Sequence, residues 1–165
     1  MSKMPKKESC LEELKKRYKV IQSKYKLPGF AYLNENFEIE KLAENETDFL
    51  LREIREIILE KAVAYLRFIE MLLNPSSAPI FFFSLVKGLS GDDKKVIERI
   101  YEKLIEFEII GMELSNEYSE KNEAEFIRSI DKRWDAVKSE MSILTSSIKS
   151  SWNVKKEKSG KDYFG

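Results

Sequence analysis

Histidine is absent from this chain, and cysteine occurs once, at position 10. Histidine is the commonest general base and metal ligand in proteins, so its absence excludes Ser-His-Asp and Cys-His catalysis and histidine-based zinc sites. The single cysteine excludes an intramolecular disulfide and is typical of proteins from a reducing compartment. We therefore expect a cytoplasmic protein.

The signature motifs of common enzyme families are absent too. The sequence contains no GxxxxGK[ST], GxGxxG, GxSxG or CxxC pattern, which are the signals of nucleotide binding, of a nucleophilic serine and of redox chemistry. We expect no catalytic residue, no bound cofactor and no metal, and hence a protein that is not an enzyme.

Turn residues and long apolar runs are scarce as well. Six glycines and four prolines in 165 residues are too few for a β-sandwich or β-barrel, which needs a turn about every 8–12 residues. The longest uncharged stretch, 71–86, is interrupted by prolines, and the start MSKMPKKES lacks the apolar segment of a secretory signal. We expect no signal peptide and no association with a membrane.

Helical periodicity is the main feature that the sequence does contain. Apolar residues at alternating spacings of three and four predict long helices, bounded by capping signals such as Ser90 with Asp93 and by breakers such as Pro28-Gly29. Few residues separate these helices, which favours antiparallel neighbours. We predict an all-α, up-and-down bundle of about four long helices plus a short Phe-rich helix.

The sequence predicts one domain and one tail. Residues 1–152 are assigned to a single helical-bundle domain, within which 30–45 has no clear period and is expected to form an extended strap with at most one helical turn. Residues 153–165 are polar and contain glycine, so they are predicted to form a flexible C-terminal tail.

The last long helix has the clearest pattern. Its apolar residues keep a spacing of three and four over three heptads, as in the seam of a coiled-coil-like bundle. Trp134 lies on this seam and is expected in the core, whereas Trp152 at the end of the helix is expected to be partly exposed. The seam residues are Ile127, Ile130, Trp134, Val137, Met141, Leu144 and Ile148.

Three successive phenylalanines, Phe81, Phe82 and Phe83, form the candidate partner interface. Consecutive helical residues point about 100° apart, so a single core cannot easily bury all three rings. Aromatic residues are enriched at protein interfaces, which favours a homo-oligomer or a protein partner at this segment. A short helix that is buried on all sides is the equal alternative.

Charge is balanced overall, with 29 basic and 29 acidic side chains, so the whole chain offers no field for nucleic acid. Residues 1–26 nevertheless carry a net positive charge, and Lys15, Lys16, Arg17 and Lys19 are candidate phosphate contacts. Tyr18 and Tyr25 are candidates for base stacking, although they share the apolar stripe of Leu14 and Ile21, which favours inward packing. Nucleic-acid binding is therefore the alternative function.

Carboxylates on helices supply a third hypothesis. Glu53, Glu56 and Glu60 follow one another at spacings of three and four, and several such groups facing one site bind Mg²⁺. A solvated helix face is the more ordinary interpretation of the same pattern.

Several short segments resemble small all-helical archaeal proteins of unassigned role. The similarity covers 27–152, and it implies a cytoplasmic origin without identifying any functional residue. The segments are Leu27-Pro28-Gly29-Phe30, Asn36-Phe37-Glu38-Ile39, Leu50-Leu51-Arg52-Glu53-Ile54-Arg55 and Ala124-Glu125-Phe126-Ile127.

Overall fold

The computed structural model describes the backbone of residues 6–162 and the side chains of residues 7–160. All regular structure in this range is helical, which confirms the all-α fold class with four long helices and a short Phe-rich one, α4. No described helix combines the length and the apolar character that crossing a bilayer requires. The α-helices are α1 (Lys6–Tyr25), α2 (Phe30–Phe37), α3 (Leu50–Leu73), α4 (Ile80–Lys87), α5 (Gly91–Asn116), α6 (Glu120–Arg128) and α7 (Ile130–Asp162); Ile39–Glu44 and Pro75–Ser77 are 3-10 helices.

The chain separates into two compact units. Unit 1 comprises the described residues through Ala62 together with Glu108–Arg133, and unit 2 comprises Val63–Phe107 together with the described residues from Trp134 onward. The expectation that 1–152 forms a single domain stays a prediction.

In unit 1, α3 and α5 run antiparallel. The guanidinium of Arg52 lies 5.7 Å from the ring centroid of Tyr118, whereas Leu59, two turns further along α3, faces the earlier residue Gly111 of α5. A Cβ atom at Gly111 would come within 2.7 Å of the Leu59 side chain. This glycine permits close packing of the two helices, and α5 continues through it without interruption.

The extended strap predicted for 30–45 was wrong. The segment forms α2 and the 3-10 helix Ile39–Glu44, which are separated by Glu38 in the left-handed conformation with φ of 57°. Leu33 and Phe37 are buried on α2, and Ile39 and Leu42 are buried on the 3-10 helix. The left-handed conformation of Glu38 interrupts the helical path between the two short helices. Their buried residues therefore follow no common helical spacing in the sequence.

In unit 2, the core is built around Trp134, whose side chain is 0% exposed. Its ring lies 5.3 Å from that of Tyr65 on α3 and 6.1 Å from that of Phe107 on α5. Arg99, eight residues before Phe107 on α5, pairs with Glu140, six residues after Trp134 on α7. The two helices are therefore antiparallel here. Val137 and Leu144 are also buried. The predicted core position of Trp134 is confirmed.

Several helix ends differ from the sequence prediction. Ser129 separates α6 from α7, where the apolar seam predicted one continuous helix. α7 continues beyond Trp152 to Asp162, so most of the predicted tail is helical, and its flexibility stays a prediction. The capping pair at Ser90 and Asp93 is confirmed: the Asp93 carboxylate accepts from the Ser90 N–H at 2.8 Å, and the Ser90 hydroxyl accepts from the Asp93 N–H.

Candidate interaction surface

Helix α4 places its three phenylalanines in three different surroundings. Phe82 faces α3, where its ring lies 5.6 Å from that of Phe68 in an edge-to-face arrangement. Leu85, three residues later on the same side of α4, is the buried residue of this helix. This side anchors α4 to the core of unit 2.

The opposite side of α4 is open to solvent. On this side Ile80 is 89% exposed and Phe83 is 48% exposed, and Phe81, on the side towards α7, is 52% exposed. The prediction that one helix cannot bury all three rings is therefore confirmed, and the alternative of a helix buried on all sides is wrong.

A third side of α4 packs along α7. The ring of Phe81 lies 6.2 Å from that of Trp152. The ammonium group of Lys155 donates to the carbonyl oxygen of Ser84 at 3.2 Å and also to its hydroxyl. Gly88 then approaches α7 so closely that an added Cβ would lie 1.8 Å from the Ser151 hydroxyl oxygen. A larger residue at position 88 would require the Ser151 hydroxyl to rotate away and its Cβ atom to shift.

We call Ile80, Phe81, Phe83 and Trp152 the aromatic surface. Trp152 is 48% exposed, as the sequence predicted, and it extends the apolar area of α4 onto α7. Isolated exposed apolar residues are common on proteins, but four on one short helix and the neighbouring part of α7, three of them aromatic, are typical of binding sites. The arrangement can bind an apolar surface, and it contains no group suited to acid or base catalysis.

A groove of about 620 Å³ adjoins the aromatic surface. Among its lining residues are Lys87, Lys155, Lys158 and Asp93, and we call it the lysine groove. Its remaining lining is a set of small or apolar residues on α7 and at the end of α4: Gly88, Ser146, Ser147, Ser150, Ser151 and Val154.

Asp93 in the lysine groove already accepts hydrogen bonds within the protein. Hydrogen bonds from the Ser90 backbone N–H and the Ser147 hydroxyl hold the pKa of the Asp93 carboxyl below its usual range. The Asp93 carboxylate therefore caps the start of α5. Because the lining contains three lysines and one aspartate, its net charge is positive.

The four candidate phosphate contacts on α1 have different surroundings. Lys15 pairs with Glu12 at 3.1 Å, and Arg17 donates to the carbonyl oxygen of Thr47. Lys16 and Lys19 are exposed. Tyr18 is buried, so it offers no ring for base stacking, and burial raises the pKa of its hydroxyl. Two of the four candidates thus have a partner within the protein, and their role as phosphate contacts stays a prediction.

The acidic residues of the third hypothesis do not converge. Glu53 is half-buried, whereas Glu56 and Glu60 are exposed on α3. In the part of the chain that the structure describes, no three His, Cys, Asp or Glu side chains are grouped closely enough to hold a metal ion.

Sequence reasoning missed a buried ion pair in unit 1. Arg55 on α3 donates from Nε and from a terminal nitrogen to the two carboxylate oxygens of Glu123 on α6, at 2.8 and 3.1 Å. The two side chains are 4% and 0% exposed. By contrast, the nearby pair of Lys24 and Glu120 is exposed; hydrogen bonds from Tyr25 and Lys24 lower the pKa of Glu120.

A signal for the buried pair does exist in the sequence. Arg55 follows Leu51 by four residues and precedes Ile58 by three, so it lies on the apolar stripe of α3. Glu123 precedes Ile127 by four and has the same relation to the stripe of α6. One positive and one negative residue on two apolar stripes indicate a buried pair.

No protein-family model, curated protein or solved structure matches this chain. The function is therefore inferred from the surfaces themselves.

Proposed function

We propose that the protein is a non-enzymatic interaction protein that self-associates as a homodimer through the aromatic surface. The observation that carries this proposal is the half-exposure of Phe81, Phe83 and Trp152 around the almost fully exposed Ile80. Covering apolar surface contributes about 25 cal/mol per Å², and a symmetric dimer covers the same patch on both copies.

The surroundings of the aromatic surface predict how such a dimer responds to salt. The Lys87 ammonium lies 4.8 Å from the centre of the Phe83 ring, and Lys155 is bound to Ser84 on the neighbouring side of α4. A symmetric contact brings these positive charges towards their counterparts on the second copy. Because dissolved ions screen such repulsion, self-association should strengthen as the salt concentration rises.

Replacing Phe83 with aspartate should convert the dimer into a monomer. The substitution puts a charge into the apolar contact, where it would have to be desolvated without a partner. Sedimentation equilibrium at tens of micromolar should show a dimer for the natural chain and a monomer for Phe83→Asp.

Met112→Asp is the matched control, because Met112 is an exposed apolar residue of α5 outside the aromatic surface. It should leave the dimer intact. A natural chain that is monomeric over the whole range of protein and salt concentration would refute self-association.

The proposal assigns no catalytic residue, cofactor or metal. It places the protein in the cytoplasm, where a free thiol such as that of Cys10 stays reduced. It also assigns no nucleic-acid contact to Lys16 and Lys19, so neutralising them should leave self-association unchanged.

A further inference from the structure

We infer that the lysine groove, together with the adjoining part of the aromatic surface, binds an acidic amphipathic helix of a partner protein. This inference rests on the proposed interaction function, because it uses part of the same surface. It does not depend on the second copy being a partner.

Charge identifies the sign of the ligand. Lys87, Lys155 and Lys158 are three basic residues in the lining of the lysine groove, whereas Asp93 is the one acidic residue of that lining among the described residues. That carboxylate offsets one of the three positive charges, so the lining of the groove keeps a net positive charge. Carboxylates on a partner complement them and steer its approach.

The shape of the groove favours a helix. Its lining on α7 extends from Ser146 to Lys158, which is about 18 Å at the α-helical rise, or about three turns. Ser146 and Ser150 are exposed and have small side chains, so the backbone of a second helix can approach α7 closely at these two positions. Ser147 and Ser151 already contact Asp93 and Gly88. Half-exposed Val154 adds an apolar contact to this lining.

The groove and the aromatic surface are continuous through two lysines. Lys87 lines the groove and lies over the Phe83 ring, and Lys155 lines the groove and is bound to Ser84. A helix with apolar residues on one stripe and carboxylates beside it can therefore contact Phe83 and Val154 while its charges meet the lysines. Laying an apolar helix face into such a groove is a recurring mode of recognition.

The test uses a synthetic amidated peptide of about 14 residues, or about 21 Å of helix, with leucines on one stripe and glutamates elsewhere. A twin peptide carries lysine in place of every glutamate. Trp152 is the intrinsic reporter, because it is half-exposed at the aromatic surface, whereas buried Trp134 gives a constant background. The acidic peptide should change the fluorescence saturably, and its affinity should fall as the salt concentration rises.

Replacing Lys87, Lys155 and Lys158 with glutamine should weaken the acidic peptide by about tenfold or more, since each exposed ion pair contributes a modest amount. The matched control replaces three exposed lysines of unit 1, Lys16, Lys19 and Lys132, and should leave affinity unchanged. Equal binding of the twin peptide, equal loss in the control variant, or no binding by the acidic peptide would overturn the inference.

Two further probes separate this ligand from other anions. A double-stranded oligonucleotide and phosphatidylserine vesicles should bind more weakly than the peptide at physiological salt, and tighter binding by either would overturn the inference. A protein that is monomeric by sedimentation but binds the acidic peptide would lose the homodimer and retain the inference. A protein that is a dimer but fails to bind the peptide would retain the proposed homodimer and overturn the inference.

Discussion

Replacing Glu123 with leucine is expected to lower the free energy of unfolding by about 3–5 kcal/mol. The substitution leaves the guanidinium of Arg55 in the interior of unit 1, where only 4% of its side chain reaches solvent, without the carboxylate that binds both of its donor nitrogens. An uncompensated buried charge is among the most destabilising single changes in a protein. Urea denaturation followed by circular dichroism would measure the loss.

Two control variants separate the effect of charge from that of packing. The double variant Arg55→Met with Glu123→Leu removes both charges and should recover most of the lost stability, because apolar residues of similar size often replace a buried pair without loss. Glu120→Leu removes the exposed partner of Lys24 and should change stability little. If Glu123→Leu were no more destabilising than Glu120→Leu, the ion pair would not be buried as described.

Trp134→Ala is the second substitution with a large expected effect, again about 3–5 kcal/mol. The ring is completely buried between Tyr65 and Phe107, so its removal takes away two aromatic contacts and leaves a cavity at the centre of unit 2. A typical domain is stable by only about 5–15 kcal/mol, so this variant should be close to unfolding at room temperature.

Trp152→Ala provides the comparison for Trp134→Ala. It removes the same side chain from a position where nearly half of the ring is exposed, so the loss of stability should be much smaller. Circular dichroism is the suitable measurement for both, because each variant removes a fluorophore. A loss below about 1 kcal/mol for Trp134→Ala would mean that the ring lies at the surface rather than in the core.

The long helices could be predicted from the sequence because their burial repeats with the helical period. Ile54, Ile58 and Ile69 of α3 are buried, as are Ile100, Leu104 and Phe107 of α5. The same reasoning predicted that Phe81, Phe82 and Phe83 cannot all face one core, without saying which would be exposed. These inferences concern which face of one helix is buried, and the spacing along that helix contains this information.

The features that were missed depend on residues far apart in the chain. Arg55 and Glu123 are 68 residues apart, and Lys87 meets Lys155 and Lys158 only because α4 packs along α7. The spacing of apolar residues along one helix contains no information about such contacts between helices. The helices within 30–45 were missed for a local reason, since a non-glycine residue, Glu38, takes the left-handed conformation that usually favours glycine.

The long separation between Arg55 and Glu123 also bears on the order of folding. Pairing two side chains 68 residues apart requires closure of a long loop, whose entropy must be lost before the contact contributes, whereas the helical turns around each residue form locally. The pair should therefore form after the rate-limiting barrier to folding has been crossed. In stopped-flow kinetics, Glu123→Leu should then accelerate unfolding far more than it slows refolding.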